Sequence, residues 1–298
     1  MINGSVVALV TPMTAGGELD LARLAALVEW HVEQGSNGVV VGGTTGESAV
    51  LTEGELVALV AEAVRAANGR LPVLAGTGSN DTRRAVSLTR AAAQAGAQAC
   101  LVVTPYYNKP EQEGLFLHFK AVAEASAVPL VLYNVPGRTA CDLHPETVAR
   151  LAEKGNVVGV KEATGSMARG RRIRELCGPE FVLLSGDDPT MVDLMESAGA
   201  VGVISVTANV APATVSEVCR LARSGDWPAA RALNEHLMPL HKAMFVESSP
   251  IPVKWLLQHL GRIDAGIRLP LTALRPEHTE LVREAYEAAV APATAGVV

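Results

Sequence analysis

The sequence predicts an α/β fold, namely a (β/α)8 TIM barrel with a C-terminal helical appendage. Eight short apolar runs alternate with segments of helical periodicity. Hydrophobic residues make up 49% of the chain but aromatic residues only 4%, which is typical of parallel strands covered by helices. Polar, glycine-rich motifs follow several different strands, whereas a doubly wound sheet, the alternative fold, concentrates its site at one switch point. We therefore predict a barrel over residues 1–224 that carries the active site.

The predicted strands are short and end at turn residues. They cover residues 6–10, 38–41, 72–75, 99–103, 129–133, 157–161, 181–185 and 201–205. Between them, apolar residues recur at three-to-four spacing over 19–34, 53–67, 82–95 and 114–125, which indicates helices. Gly35 and Gly96 follow two of these segments and favour helix ends there. Beyond residue 224 only helical patterns occur, at 227–244, 250–260 and 276–290, so residues 225–298 are predicted to form a C-terminal helical domain.

Composition argues against several classes of partner. The net charge is −6 and no basic stripe with interleaved aromatic residues occurs, so nucleic acid is not an expected partner. No apolar stretch approaches the roughly 18 residues that a membrane span requires. The four cysteines are scattered without a Cys-x-x-Cys pair, which favours reduced thiols and a cytoplasmic location.

The chain also lacks the common motifs for metals and nucleotides. No His-Glu-x-x-His occurs, so no metal site is expected. The loop over residues 42–48 has no P-loop lysine, and Gly76-Thr77-Gly78 lacks the third glycine of a dinucleotide motif. The missing nucleotide motifs favour the barrel over the doubly wound sheet.

Lys161 is the strongest candidate for a catalytic residue. It ends the apolar run at 157–160 and is followed by Glu162 and a turn, so its side chain is predicted to lie at the carboxyl end of a buried strand. Burial favours the neutral amine, which is a nucleophile toward carbonyl carbon and forms a Schiff base. The alternative is a surface ion pair between Lys161 and Glu162.

The other five lysines are weaker candidates. Lys109, Lys120, Lys154 and Lys242 have polar or turn-forming neighbours. Lys254 has apolar neighbours, but we expect this helical lysine to extend its ammonium group into water.

Other polar residues follow the strands that precede Lys161. Loops after successive predicted strands contribute a set of hydroxyl, phenol and guanidinium groups, namely Thr44, Thr45, Tyr106, Tyr107, Tyr133 and Arg138. Taken singly, each has a structural alternative: a tight turn for the threonines, a core position for Tyr133 and an exposed turn for Arg138. Since a barrel collects such loops at one face, together they predict a keto-acid aldolase-type site.

These residues lie in motifs that resemble a known family of pyruvate-dependent aldolases and synthases. The family includes dihydrodipicolinate synthase and N-acetylneuraminate lyase. The resemblance covers nearly the whole chain and is carried by the segments at 43–48, 104–110, 133–139, 159–165 and 186–188. It implies a TIM-barrel enzyme that binds pyruvate as an imine on Lys161 and needs no other cofactor.

Two features resemble one branch of the family, which condenses pyruvate with L-aspartate-4-semialdehyde in the diaminopimelate route of lysine biosynthesis. They are Arg138, at the position that binds the semialdehyde carboxylate, and the segment at 202–210. The resemblance also implies a pyruvate contact for Thr45, Gly186 and Ile204 and a proton relay of Tyr133, Thr44 and Tyr107. Since Tyr107 of family members enters a neighbouring subunit's site, a homotetramer built as a dimer of dimers is implied.

Regulation is predicted to differ from that of many family members. The resemblance implies a lysine-binding cleft at Ser48, Ala49, Asn80 and Tyr106. Lysine-sensitive members carry histidines where this chain has Glu53 and Leu56, and a glutamate where it has Arg84. A guanidinium group there repels the lysine ammonium group, so we expect weak or absent feedback by lysine.

Two other functions remain open at this point. One is a related lyase that acts on a sugar-derived keto acid. The other is a barrel that binds a keto acid without turnover, because fold alone does not establish catalysis.

Overall fold

The structure, a computed structural model, describes residues 2–291 and is a closed barrel of eight parallel strands. The strands are β1 (Gly4–Ala8), β2 (Gly38–Val41), β3 (Val73–Gly76), β4 (Ala99–Val103), β5 (Leu130–Asn134), β6 (Val157–Glu162), β7 (Val182–Ser185) and β8 (Gly202–Ser205). They pair in chain order, and β1 pairs with β8 in parallel to close the barrel. The predicted fold class is therefore confirmed.

Helices cover the outside of the barrel. They are α1 (Leu21–Glu33), α2 (Glu53–Ala67), α3 (Thr82–Gln94), α4 (Gln112–Ala125), α5 (Pro136–Thr139), α6 (Pro145–Ala152), α7 (Met167–Cys177), α8 (Met191–Ala198) and α9 (Pro212–Arg223). The second begins with a capping box, in which Thr52 and Glu55 exchange hydrogen bonds between side chain and backbone. Short α5 lies directly after β5 and carries Arg138.

The first strand lies earlier in the chain than predicted. Sequence periodicity placed it at 6–10, but β1 is Gly4–Ala8, which pairs with β8 from Gly4 onward. The N–H of Val10 donates to the side chain of Asn209 at 3.0 Å instead of a neighbouring strand. A side-chain acceptor 199 residues away therefore ends the strand earlier than the apolar run.

The barrel has an apolar interior that is separate from the layer between strands and helices. Its buried side chains come from seven of the eight strands and include Val6, Val40, Leu74, Leu101, Val131, Tyr133, Leu184 and Ile204. Lys161 pairs in register with Tyr133 on one side and with Leu184 on the other. Because side chains alternate across a strand, Lys161 shares the inner face with these neighbours.

Arg174 stabilises the end of the barrel opposite the carboxyl ends of the strands. Its guanidinium group donates to five main-chain carbonyls at 2.7–3.3 Å, those of Gly178, Pro179, Phe181, Ala198 and Gly199. These carbonyls lie after α7 and at the end of α8, where helix carbonyls have no partner within the helix. Burial lowers the pKa of Arg174 from its usual value.

Three helices follow the barrel, α10 (Trp227–Ala243), α11 (Ile251–His259) and α12 (Pro276–Val290). They confirm the helices predicted at 227–244, 250–260 and 276–290 to within a residue at each end. The division into domains at 1–224 and 225–298 stays a prediction, and residues 292–298 lie outside the described range. No helix within residues 2–291 is both long and apolar enough to cross a membrane.

Candidate active site

Lys161 lies inside the barrel near the carboxyl end of β6. Only 5% of its surface is exposed, and its Nζ lies 4.3 Å from the centre of the Tyr133 ring. The aromatic face stabilises an ammonium group without forming an ion pair. The structure thus brings together an amine and a phenol, two of the four predicted catalytic residues.

Glu162 does not form the surface ion pair considered as the alternative for Lys161. It is 2% exposed, and as the next residue along β6 it points to the opposite face of the strand. Its carboxylate accepts from the N–H of Thr164 at 2.8 Å and from Nδ2 of Asn134 at 3.1 Å. Burial raises the pKa of Glu162 from its usual value. The surface-pair interpretation is therefore wrong.

Gly186 gives Lys161 the space that it needs. A Cβ atom at this position would lie 2.9 Å from Cε of Lys161 and 2.6 Å from Cβ of Ala163. The predicted substrate-binding glycine therefore lies directly beside the amine, and its lack of a side chain keeps the end of β7 open.

Thr44 and Thr45 lie in a tight loop after β2. The N–H of Gly46 donates to the carbonyl of Gly43 at 3.0 Å, and the N–H of Glu47 donates to the carbonyl of Thr44 at 3.1 Å. Thr45 is buried, whereas Thr44 is half-buried. Since β2 and β6 end at the same face of the barrel, this loop belongs to the face that carries Lys161.

Thr44 and Arg138 line the same cavity, which has a volume of about 250 Å³. Arg138 lies on α5, and its Nη2 is 3.5 Å from the carbonyl oxygen of Ser249. Ser249 also lines this cavity, and its buried Oγ has no hydrogen-bond partner among the described residues. The cavity thus offers an exposed guanidinium group and hydroxyl groups to a small polar molecule.

Sequence reasoning did not identify the C-terminal wall of this cavity. Ser248, Ser249, Arg268 and Pro270 follow the predicted barrel in the chain. They lack a strand-end motif, so the sequence carried no local signal for them.

Tyr107 lies at the surface of the subunit. Its side chain is 87% exposed and its backbone is left-handed, with φ of 76°. The N–H of Tyr107 donates to the carbonyl of Thr139 at 3.3 Å, which ties its loop to α5. Ile204, in contrast, is 1% exposed and lies in the barrel interior.

A second, smaller cleft of about 60 Å³ lies beside the β2 loop. It is lined by Ser48, Ala49, Leu56, Arg84 and Tyr106, among others. The structure therefore brings together three of the four predicted allosteric residues. The fourth, Asn80, lies in the adjoining loop, where its carbonyl accepts from Nδ2 of Asn108 at 2.8 Å.

Lys254 corrects the prediction that its ammonium group extends into water. It is only 4% exposed and forms a buried ion pair with Glu47. Burial lowers the pKa of Lys254, while the Glu47 carboxylate opposes that shift. The partner lies 207 residues earlier in the chain, so the neighbours of Lys254 in sequence gave no sign of it.

Comparison with known proteins identifies the family. The sequence model of the dihydrodipicolinate synthetase family matches residues 1–289. The chain belongs to this family. The 4-hydroxy-tetrahydrodipicolinate synthase of Stutzerimonas stutzeri is 56% identical over 285 residues, which cover 96% of this chain and 97% of that protein.

Solved structures of the dihydrodipicolinate synthetase family have the same fold. The chloride-inhibited dihydrodipicolinate synthase from Acinetobacter baumannii, complexed with pyruvate, has a TM-score of 0.95 and 52% identity, with 97% of this chain and 99% of that chain covered. A monomeric dihydrodipicolinate synthase variant has a TM-score of 0.94 and 41% identity, with 97% of each chain covered. The predicted family is thus confirmed. Among residues 2–291, no group of three or more His, Cys, Asp or Glu side chains is suited to hold a metal ion.

Proposed function

We propose that this chain condenses pyruvate with L-aspartate-4-semialdehyde, the activity of a 4-hydroxy-tetrahydrodipicolinate synthase in the diaminopimelate route of lysine biosynthesis. The observation that carries the proposal is the Lys161 amine, buried inside the barrel against the Tyr133 ring. The name shared by relatives that are 56–57% identical over nearly the whole chain confirms the predicted activity.

Lys161 supplies the covalent chemistry. Its amine attacks the keto carbon of pyruvate, and loss of water gives an imine that withdraws electrons from the neighbouring methyl group. Removal of a methyl proton gives an enamine, whose terminal carbon attacks the aldehyde carbon of the semialdehyde. The amino group of the semialdehyde then attacks the imine carbon, which closes the ring and releases Lys161.

The other predicted residues bind the substrates and move protons. Thr45, Gly186 and Ile204 border the pyruvate end of the pocket, and Arg138 binds the semialdehyde carboxylate through charge-assisted hydrogen bonds. Thr44, Tyr133 and Tyr107 form the proton relay. Support comes from the contact between Tyr133 and Lys161 and from the cavity shared by Thr44 and Arg138.

The deciding assay follows pyruvate consumption by purified protein with different aldehydes. We expect consumption with L-aspartate-4-semialdehyde and little with a sugar aldehyde such as N-acetylmannosamine. The reverse preference would favour a sugar-acid lyase. Formation of a pyruvate adduct without turnover of either aldehyde would favour a binding barrel.

The assembly in this proposal is a homotetramer, a dimer of dimers in which Tyr107 completes a neighbour's site. An 87% exposed tyrosine with a left-handed backbone has no packing role in a lone subunit. Sedimentation equilibrium measures the assembly directly.

A subunit-mixing experiment tests whether Tyr107 acts in its own subunit or in the site of a neighbouring subunit. Lys161→Met and Tyr107→Phe subunits are each expected to have low activity. We expect activity to return when they are unfolded and refolded together, because one site of the mixed dimer then has both Lys161 and a partner's intact Tyr107. Refolded mixtures that stay as inactive as either variant would show that Tyr107 acts within its own subunit.

Feedback by lysine is expected to be weak. Arg84 places a guanidinium group in the cleft lined by Ser48, Ala49 and Tyr106, where it repels the ammonium groups of lysine. We expect no more than about two-fold inhibition at millimolar lysine. An assay with increasing lysine measures this, and inhibition in the micromolar range would contradict it. Arg84→Ala serves as the matched variant and should increase sensitivity.

A cytoplasmic location completes the proposal. All four cysteines are free thiols, which favours a reducing compartment.

A further inference from the structure

A buried ion pair joins the C-terminal helices to the loop that carries Thr44 and Thr45. Lys254 lies on α11, and Glu47 follows Thr45 by two residues. Each residue is 4% exposed. The proposed chemistry uses neither of these charged groups.

Glu47 is held from two directions and bonds back to the threonine loop. Its Oε1 accepts from Nζ of Lys254, and its Oε2 accepts from the N–H of Arg268 at 3.0 Å. Its own N–H donates to the carbonyl of Thr44 at 3.1 Å, and its φ is 59°. A left-handed residue other than glycine persists where surrounding contacts determine its conformation. The carboxylate contacts therefore fix the turn that begins at Thr44.

Arg268 holds the other end of the same loop. Its Nη1 donates to the carbonyl of Val50 at 3.0 Å, and its guanidinium group pairs with Glu55 in the first turn of α2. Two cations from beyond the barrel, Lys254 and Arg268, thus contact the segment between β2 and α2 along its length.

Stability alone does not account for the buried pair. Removing two charges from water costs several kcal/mol per ion, and a neutral pair of similar shape is often equally stable. An ion pair with additional hydrogen bonds does, however, fix the direction of both side chains. Glu47 accepts a further hydrogen bond and lies two residues after Thr45. These contacts favour a role for the pair in fixing the geometry of the loop.

We propose that Glu47 and Lys254 are positioning residues that hold Thr44 and Thr45 against the pyruvate imine on Lys161. This inference rests on the proposed function and adds the C-terminal helices to the active site. Misplacement of a catalytic group by about 1 Å costs on the order of 100-fold in rate. Loss of the pair should therefore slow proton transfer while imine formation continues.

The test compares the wild-type protein with a Glu47→Gln/Lys254→Met variant, which replaces both charges together. Exchange of the pyruvate methyl hydrogens in D₂O, followed by NMR, measures proton removal from the imine. Borohydride trapping measures the imine itself. We expect normal trapping on Lys161 and exchange slowed by on the order of 10-fold to 100-fold.

Two further variants separate positioning from loss of stability. Arg174→Met removes hydrogen bonds at the opposite end of the barrel, so it should lower the unfolding temperature without changing the exchange rate. In a Thr44→Val background, replacing the pair should slow exchange by much less than in the wild type, because both changes act on the same step.

The outcomes are distinct for the two proposals. Wild-type exchange and turnover in the Glu47→Gln/Lys254→Met variant would overturn the positioning role. Equal slowing with and without Thr44 would also overturn it. If the wild-type protein neither traps nor exchanges pyruvate, the proposed function itself fails. Should the double variant not fold, Glu47→Asp moves the carboxylate by one methylene, and an unchanged exchange rate there would overturn the role.

Discussion

Replacing Lys161 with methionine is expected to abolish both the pyruvate adduct and turnover. Methionine has nearly the same length but cannot form an imine, so the reaction loses its covalent route. We expect a fall in kcat of at least about 1,000-fold, equivalent to about 4 kcal/mol in the activation barrier. Mass spectrometry after borohydride treatment with pyruvate measures the adduct, and a coupled assay measures turnover.

Two other lysines make this experiment specific. Lys120 lies on α4 beside Glu124, so Lys120→Met should keep the full adduct and full turnover. Among the residues that the structure describes, Lys254 is the other buried lysine, and peptide mapping distinguishes an adduct on Lys254 from one on Lys161. An adduct on Lys254, or one that persists in Lys161→Met, would contradict the assignment.

Replacing Arg138 with alanine is expected to separate the two substrates. The guanidinium group lines the cavity that Thr44 also lines, whereas the imine forms on a different residue, Lys161. Loss of a charge-assisted contact of about 3 kcal/mol lowers kcat/KM for the semialdehyde by about 100-fold. Trapping with pyruvate should stay close to that of the wild type.

Arg138→Lys is the matched variant. It keeps the charge but loses the planar fork that binds a carboxylate through two hydrogen bonds. We expect an intermediate kcat/KM for the semialdehyde in steady-state assays. If alanine weakens trapping and semialdehyde use equally, Arg138 acts through the structure of α5.

The fold was predictable because the apolar runs, the helical periodicity and the turn residues all indicate the same barrel. Parallel strands buried on both faces give continuous apolar runs, and these placed β2, β4 and β6 to within a residue. An apolar run does not show where the hydrogen bonds between neighbouring strands end. Val10 continues the apolar run of β1, but its N–H binds the side chain of Asn209. This long-range contact accounts for the boundary of β1.

The site was predictable where a residue type is unusual for its position in a strand. A lysine that ends an apolar run has few structural uses, and Lys161 is buried as expected. Lys254 shows the limit of this reasoning. On a helix, an apolar neighbourhood fits both a solvated and a buried ammonium group, and only the folded position of Glu47 decides between them.

The closure of the barrel also determines the order in which contacts can form while the chain is synthesised. The first strand has one edge that pairs only with β8, so this edge is open until residues 202–205 have left the ribosome. The ion pair of Glu47 forms later still, because its partner is Lys254. A nascent chain of about two hundred residues therefore contains Thr44, Tyr133 and Lys161 but lacks both the closing strand and the buried counter-charge. The ion pair beside Thr44 and Thr45 therefore forms only after residue 254 has been made, later than Lys161 itself.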